Sequence, residues 1–258
     1  MRDEAIPAMK TEQEDEDFVP PDRVGPSVSA RPPVTITIPL YDEEGNVERT
    51  TTSLLETFRK AEVPLTLILV DNGSRDGTRA LVQRIEAEEP EVRGLYLDQN
   101  QGYGGGILAG MAQADTEILG YMWGDSQVAA TDVIRVYRRL VTEQADIAKV
   151  RRVQRMDGWR RALISSAYNT ATLWLFHITS TDTNGCPKLF TRQSWELLSP
   201  SHTDWFLDPE IMIGVAERGL KLAEVDVLAQ ARDFGVSKVG LGTVVEFSFN
   251  LARRRLKS

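Results

Sequence analysis

The feature that most constrains this chain is the regular alternation of strand-like and helix-like segments in its first half. Apolar or β-branched runs begin near residues 34, 65, 94 and 118, and each is followed by a stretch with helical character. The second run, Leu65–Val70, is apolar almost throughout, as expected of a strand covered on both faces. Four such repeats predict an α/β fold with a doubly wound, mainly parallel sheet flanked by helices.

Local signals set the expected element boundaries. The first strand, Val34–Ile38, is predicted to end at Pro39, and the helix after it covers Val47–Lys60. The glycine run Gly102–Gly106 is predicted to be a loop that leads into a helix over Ile107–Ala114. It fits a dinucleotide-binding fingerprint only loosely, because Gln99–Tyr103 separate it from the preceding strand.

Polar clusters follow three of the predicted strands, at residues 39–44, 71–74 and 125–127. The carboxyl ends of parallel strands meet at one edge of a sheet, where ligands bind, so these clusters should converge. Asp125 and Gln127 offer oxygen atoms suited to Mg²⁺ or Mn²⁺ held together with nucleotide phosphates. The alternative is a turn in which Asp125 caps the helix that begins near Thr131.

Composition narrows the class of protein. The net charge of -8 argues against a general nucleic-acid binder. Residues 1–33 combine acidic residues with prolines and are expected to form a disordered tail. Cys186 is the single cysteine, which excludes an intramolecular disulfide and favours a reducing, cytoplasmic compartment. We expect no signal peptide and no membrane span, because the start is acidic and no run of about 18 apolar residues occurs.

A basic cluster between residues 149 and 161 stands out in this acidic chain. Its members are Lys149, Arg151, Arg152, Arg155, Arg160 and Arg161. A strongly apolar helix is predicted directly after it, over Ala162–Ile178. A solvated face is one interpretation, but a cationic patch beside an apolar surface fits an acceptor with a phosphate head and a hydrocarbon tail.

Several motifs, in order, resemble those of family 2 glycosyltransferases, which have the GT-A fold. They are Ile38–Glu44, Val70–Thr78 and Asn100–Gly106. Within that family the chain is most similar to dolichol-phosphate mannose synthases and bacterial polyprenyl-phosphate sugar transferases. The resemblance covers about residues 34–242 and implies one catalytic domain with a Rossmann-like, nucleotide-binding N-terminal half. Residues 243–258 then form an amphipathic basic helix that is part of the domain or packed on it.

The resemblance also implies which residues bind the donor. The nucleotide sugar, GDP-mannose or a UDP-hexose, would be held by Pro39, Tyr41, Glu43, Asp71 and Gly73. Asp125 and Gln127 would bind Mg²⁺ or Mn²⁺ on its diphosphate. Arg232 and Lys238, in a motif like the one that closes the family's site, would clamp that diphosphate.

The acceptor phosphate would be bound by Arg152, Arg161 and Ser165, by the same resemblance. Asp125, Arg161, Ser165 and Arg232 are therefore the candidate catalytic residues. The sequence departs from the family pattern at three positions. Trp123 replaces the first acid of the usual Asp-x-Asp motif, Asn72 replaces a frequent aspartate, and Asp42 replaces a frequent asparagine.

The expected reaction is a single inverting displacement by a polyprenyl or dolichyl phosphate. Such a phosphate is already ionised at neutral pH and needs little help from a base. A neutral hydroxyl acceptor would need a carboxylate base, for which Asp182 and Asp208 are the candidates. Two alternatives stay open: a soluble saccharide or natural-product acceptor, and a nucleotide-binding protein impaired in catalysis, as Trp123 suggests. A lipid acceptor implies peripheral contact with the cytoplasmic membrane face, where the helix 243–258 could bind.

Overall fold

The structure, a computed structural model, describes residues 31–154 and 180–228. Its strands are β1 (Val34–Leu40), β2 (Leu65–Asn72), β3 (Val92–Leu97), β4 (Ile118–Tyr121), β5 (Ile147–Gln154), β6 (Lys188–Thr191) and β7 (Leu222–Leu228). Its helices are α1 (Val47–Lys60), α2 (Thr78–Glu88), α3 (Gly102–Met111), α4 (Ala130–Glu143), α5 (Arg192–Leu198) and α6 (Leu207–Glu217).

Within these residues the strands form one seven-stranded sheet in the order β3-β2-β1-β4-β6-β5-β7. β1 pairs in parallel with β2 and β4, and β2 pairs in parallel with β3. β6 runs antiparallel to both of its neighbours, β4 and β5, whereas β5 and β7 are parallel. The predicted α/β architecture with a mainly parallel sheet is confirmed.

The core lies between the sheet and its helices. Helix α1 has the predicted bounds because its apolar residues recur at helical spacing, and Val47, Leu54, Leu55 and Phe58 are all buried. The Phe58 ring meets the Tyr137 ring of α4 edge-on, with 6.2 Å between centroids. The two helices therefore pack side by side on one face of the sheet.

Strand β1 does not end at Pro39 as predicted. Its pairing with β4 stops at Thr37, opposite Tyr121, but its pairing with β2 continues to Leu40, opposite Asp71. Proline, which has no N–H to donate, is tolerated where one neighbouring strand is absent. Pro39 therefore lies inside the strand, at the point where β4 has left it.

Helix α3 begins at Gly102 rather than at Ile107, and the predicted loop is its first turns. A Cβ atom at Gly104 would lie 2.3 Å from the carbonyl oxygen of His202, and one at Gly110 would lie 2.3 Å from Thr37 Cγ2. The Gly105 N–H also donates to the Thr203 carbonyl at 2.9 Å. The glycines serve close packing, since the chain passes too near for any side chain.

In the ranges 31–154 and 180–228, no helix combines the length and apolar character needed to cross a bilayer. Three predicted segments lie outside the described residues: most of the tail (1–30), the apolar helix 162–178 and the basic helix 243–258.

Candidate functional site

The loops after β1 and β2 interlock through side chain to backbone hydrogen bonds. Asp42 accepts from the Arg75 N–H at 2.7 Å, and Ser74 Oγ accepts from the Asp42 N–H at 3.2 Å. Glu44 accepts from the Gly77 N–H at 2.7 Å. The first two motifs therefore form a single rigid unit at the carboxyl edge of the sheet.

Two residues of this unit have backbone conformations that limit the choice of side chain. Asp42 has a φ of 53°, in the left-handed region that Asn and Asp tolerate better than most residues. This explains physically why an aspartate can stand where asparagine is frequent. Gly73 has a φ of 73°, and a Cβ atom there would lie 2.7 Å from the Asn100 nitrogen.

Asp71, a predicted nucleotide-binding residue, is completely buried. One carboxylate oxygen accepts from the Ser74 N–H at 3.0 Å, and the other accepts from Arg79 Nε at 2.6 Å. Glu43, predicted to share this role, accepts from the Asn46 amide at 2.8 Å. Both carboxylates hold the loops in place, and their contact with a nucleotide, like that of Pro39, Tyr41 and Gly73, stays a prediction.

Asn72 is a site residue whose role the sequence did not reveal. Its amide nitrogen donates to the Gly102 carbonyl at 2.9 Å, and its amide oxygen accepts from the Gln101 N–H at 2.9 Å. An aspartate carboxylate could accept but could not donate. The departure from the family pattern thus supplies the donor that joins β2 to the start of α3.

The loop after β4 carries Asp125 and is anchored to α1. Thr50 Oγ1 lies 2.7 Å from Ser126 Oγ and donates to the Gly124 carbonyl at 3.4 Å. Asp125 accepts from the Gln127 N–H at 3.2 Å. The alternative interpretation, that Asp125 caps α4, is wrong, because the residue at the N-cap is Ala129, four positions after Asp125.

This loop could supply only part of the ligands that a divalent ion needs. Among residues 31–154 and 180–228, no group of three or more His, Cys, Asp and Glu side chains is placed to hold a metal. Asp125 and Gln127 are partly exposed at the carboxyl edge. A single carboxylate with a nearby carboxamide matches Mg²⁺ or Mn²⁺ that draws its other ligands from a diphosphate and water.

Trp123 lies two residues before Asp125 and is fixed by a chain of hydrogen bonds. Its indole Nε1 donates to the Tyr103 hydroxyl at 2.9 Å, and that hydroxyl donates to Asp208 at 2.9 Å. The Tyr103 ring stacks on Trp205 with 4.4 Å between centroids. An indole therefore occupies the position of the family's first acid, and it is held in one orientation.

Asp208 is the buried centre of this network. Its carboxylate contacts Lys188 Nζ and accepts from the Tyr121 hydroxyl at 2.6 Å. Burial, followed by the charge of Asp208, raises the pKa of both Tyr103 and Tyr121 well above the usual value, so both stay protonated donors. With one cation and two hydroxyl donors bound, Asp208 is poorly placed to serve as a general base.

Arg152, a predicted acceptor ligand, forms a two-pronged ion pair with Asp182. The two side-chain hydrogen bonds measure 2.8 and 2.7 Å, and the Arg152 N–H adds a third at 3.0 Å. Burial raises the pKa of Asp182, but the hydrogen bonds and charge of Arg152 outweigh it and hold that pKa well below its usual range. The guanidinium carbon lies 5.2 Å from the centre of the Trp123 ring.

The prediction that Lys149 belongs to a cationic patch is wrong, and the neighbouring Arg151 and Arg152 form ion pairs with acidic residues. Lys149 is completely buried and donates to Glu224 at 2.9 Å and to Ser180 at 3.1 Å. Arg151 binds Asp226 through hydrogen bonds of 2.7 and 2.8 Å. Part of the cluster thus joins β5 to β7.

Several predicted site residues lie outside the part of the chain that the structure describes. They are Arg161 and Ser165, predicted to bind the acceptor phosphate, and Arg232 and Lys238, predicted to clamp the donor diphosphate. Their roles stay predictions.

Comparison with known proteins gives the chain its relatives. Residues 35–195 match the model of the family described as glycosyl transferase family 2. An undecaprenyl-phosphate 4-deoxy-4-formamido-L-arabinose transferase from Proteus mirabilis is 24% identical over 219 residues, covering 84% of this chain and 66% of that protein. A dolichyl-phosphate beta-glucosyltransferase from Trichomonas vaginalis is 25% identical over 240 residues, covering 85% and 69%. The chain thus spans about two thirds of the length of these curated relatives.

A solved structure shares the fold. It is glucosyl-3-phosphoglycerate synthase from Mycobacterium tuberculosis in complex with Mn²⁺, UDP and glucosyl-3-phosphoglycerate. The TM-score is 0.64 at 18% identity, over 88% of this chain and 79% of that one. The architecture described above is the GT-A fold.

Proposed function

The chain belongs to glycosyl transferase family 2, and from this premise we propose that it moves one sugar from a nucleotide diphosphate sugar to a polyprenyl phosphate. One observation carries the proposal. The loop with Asp125 and the guanidinium of Arg152 come from different strands, β4 and β5, and meet at Trp123. An arginine suited to an anionic acceptor thus lies beside the loop whose carboxylate would suit a donor's metal–diphosphate group, which supports the proposal.

The names of the relatives support a lipid phosphate as the acceptor. One is an undecaprenyl-phosphate transferase and the other a dolichyl-phosphate transferase. The M. tuberculosis synthase was solved with Mn²⁺ and UDP. We accordingly propose GDP-mannose or a UDP-hexose as donor and Mg²⁺ or Mn²⁺ as the metal. A lipid acceptor would bring the protein to the cytoplasmic face of a membrane as a peripheral enzyme.

The interlocked loops after β1 and β2 would position the nucleotide, and Asp125 with Gln127 would hold the metal on its diphosphate. When bound, the ion would offset the charge that develops on the leaving diphosphate. Arg152, with Arg161 and Ser165, would orient the acceptor phosphate. That phosphate attacks the anomeric carbon from the side opposite the leaving group, so the configuration at this carbon inverts.

The state of the nearby carboxylates supports a phosphate acceptor over a neutral hydroxyl. A hydroxyl acceptor would need a general base. Of the two candidates, Asp182 is bound to Arg152 and has a lowered pKa, and Asp208 is bound to Lys188. An ionised phosphate needs no base, so positioning and charge neutralisation would supply most of the catalysis.

The test uses the purified protein, Mn²⁺ or Mg²⁺, labelled UDP- and GDP-sugars and a short polyprenyl phosphate, and counts label that enters the organic phase. We expect transfer that requires the lipid and is abolished by Asp125→Ala. Asp115→Ala is the matched control, because Asp115 precedes β4, is exposed and pairs with Arg93. It should leave transfer unchanged.

Two other outcomes would redirect the assignment. Metal-dependent nucleotide binding without transfer to lipid would contradict the lipid acceptor and favour a soluble acceptor or an impaired enzyme. No nucleotide binding with any donor would contradict glycosyl transfer itself.

A further inference from the structure

Trp123 lies close to two residues that the proposed function assigns to the two substrates, Asp125 and Arg152. Its Cα lies within about 7 Å of that of Asp125, since only Gly124 separates the two residues. Arg152 places its guanidinium carbon 5.2 Å from the centre of the Trp123 ring. If Asp125 marks the leaving diphosphate and Arg152 the incoming phosphate, the sugar lies between them, beside Trp123.

The surroundings of Trp123 determine what its ring can offer to a ligand. The indole N–H is used by the Tyr103 hydroxyl at 2.9 Å, and Tyr103 is itself held by Asp208 and by stacking on Trp205. Trp123 follows β4 at the carboxyl edge and is only partly buried, with part of its surface packed against the hydrophobic core. The part of the ring that the core and Arg152 leave uncovered therefore offers a ligand an oriented aromatic surface, where an acidic residue would have offered hydrogen-bond acceptors.

We infer that Trp123 is a sugar-binding residue that contacts the transferred sugar through the apolar surface of its indole. This inference rests on the proposed function. Its ligand class is a neutral pyranose that presents C–H groups to the ring, because an indole without a free N–H recognises apolar surface rather than hydroxyl groups. Tyr103 is the positioning residue, since it sets the orientation of the indole.

The experiment separates contact with the sugar from contact with the nucleotide. Isothermal titration with Mn²⁺ present compares the affinity of the full chain for a nucleotide sugar and for the matching nucleoside diphosphate. Trp123→Leu should weaken nucleotide-sugar binding about three- to tenfold, the range of an aromatic contact, and leave diphosphate binding unchanged. Trp123→Phe should show a smaller loss, because an aromatic ring remains.

Controls distinguish this role from general disruption. Trp195 is also partly buried, but it packs on Phe190 with 5.0 Å between centroids, away from the carboxyl edge. Trp195→Phe should change neither affinity. Tyr103→Phe removes the acceptor of the indole N–H and should lower nucleotide-sugar affinity without altering that for the diphosphate.

An equal loss of affinity for both ligands in Trp123→Leu, in protein with an unchanged melting temperature, would overturn the inference, because Trp123 would then act on the diphosphate or its metal. Unchanged affinity for both ligands would also overturn it. If the wild-type protein binds neither ligand, the proposed function fails rather than this assignment alone.

Discussion

Two regions of this molecule hold charged residues in opposite ways. In the loops after β1 and β2, the carboxylates of Asp42 and Glu44 are close to solvent and accept hydrogen bonds from backbone N–H groups. On the β5–β6 side, Lys149 and Lys188 have no exposed side-chain surface, and each is paired with a carboxylate. The first arrangement is local and exposed, whereas the second joins distant parts of the chain in the interior.

The two arrangements should differ in how well they tolerate substitution. Exposed polar contacts contribute little, because water replaces them when they are lost. Removing one partner of a buried ion pair leaves the other charge unpaired in the protein interior, which solvates it poorly. The loops after β1 and β2 should therefore tolerate changes that the β5–β6 side does not, and four substitutions, given in order of decreasing effect, test this.

Lys188→Met should have the largest effect, because it leaves the buried Asp208 without its cation. We expect a loss of about 3–5 kcal/mol in the free energy of unfolding, measured by urea denaturation. The double variant Lys188→Met/Asp208→Asn should recover much of the lost free energy of unfolding, since no unpaired charge remains. Lys60→Met, at the exposed end of α1, serves as the surface control. A loss below about 1 kcal/mol for Lys188→Met would contradict a charged Asp208.

Asp182→Asn should destabilise the protein by about 2 kcal/mol at pH 7, because Arg152 loses its charged partner. The pKa of Asp182 is lowered in the folded state, so its contribution is present above the unfolded pKa of about 3.9 and is lost as pH falls below it. Denaturation between pH 3 and pH 7 should therefore show wild type and variant converging in acid.

Asp226→Asn is the matched control for that experiment. Asp226 pairs with Arg151 through a similar two-pronged contact, but its side chain is 50% exposed. Solvent screens this pair, so the variant should differ less from wild type across the same pH range. Equal effects of the two substitutions would show that burial does not distinguish the two pairs.

Thr50→Val should have an intermediate effect, because it releases the Asp125 loop from α1. Loss of the hydroxyl contacts with Ser126 and Gly124 should cost about 1 kcal/mol in stability and weaken metal-dependent nucleotide binding. The neighbouring Thr51 donates only to Val47 within α1, so Thr51→Val should leave nucleotide affinity unchanged. Calorimetric titration of both variants with nucleotide tests whether the Thr50 hydroxyl contacts keep the Asp125 loop in a binding conformation.

Asp42→Asn should have the smallest effect. An asparagine tolerates the left-handed backbone and keeps an oxygen for the Arg75 N–H, so stability should change by less than about 0.5 kcal/mol. Asp42→Ala should cost about 1 kcal/mol, because alanine is strained at this φ. Thermal unfolding of the two variants gives the comparison, and identical melting temperatures would contradict the backbone argument.

Sequence reasoning succeeded where structure depends on local pattern. The bounds of α1 follow from the spacing of Val47, Leu54 and Phe58, and the sheet edge follows from polar residues placed after apolar runs. The prediction that β1 ends at Pro39 is wrong, because it rests on the local rule that proline ends a strand. The tolerance of Pro39 inside β1 depends on where β4 departs, which is a long-range property.

The same limit explains the errors at the site. The glycine run Gly102–Gly106 predicts a loop but forms the first turns of α3, because its packing partners, such as His202, lie far along the chain. The sequence predicts Lys149 in a solvated or ligand-binding patch, and the prediction fails because its partner Glu224 is 75 residues away. No local signal connects such residues, although an acidic residue in a later strand is the kind of partner a buried lysine requires.

The position of β5 in the sheet has a consequence for how the protein is made. Strands β2, β3 and β4 each pair with a strand that has already been synthesised, whereas both neighbours of β5, namely β6 and β7, come later in the chain. While a ribosome is still producing residues up to 187, the apolar residues Ile147, Ala148 and Val150 have no sheet partner. The first half can fold as it emerges. The second half must wait, and in this interval the unpaired, apolar β5 segment exposes the nascent chain to aggregation.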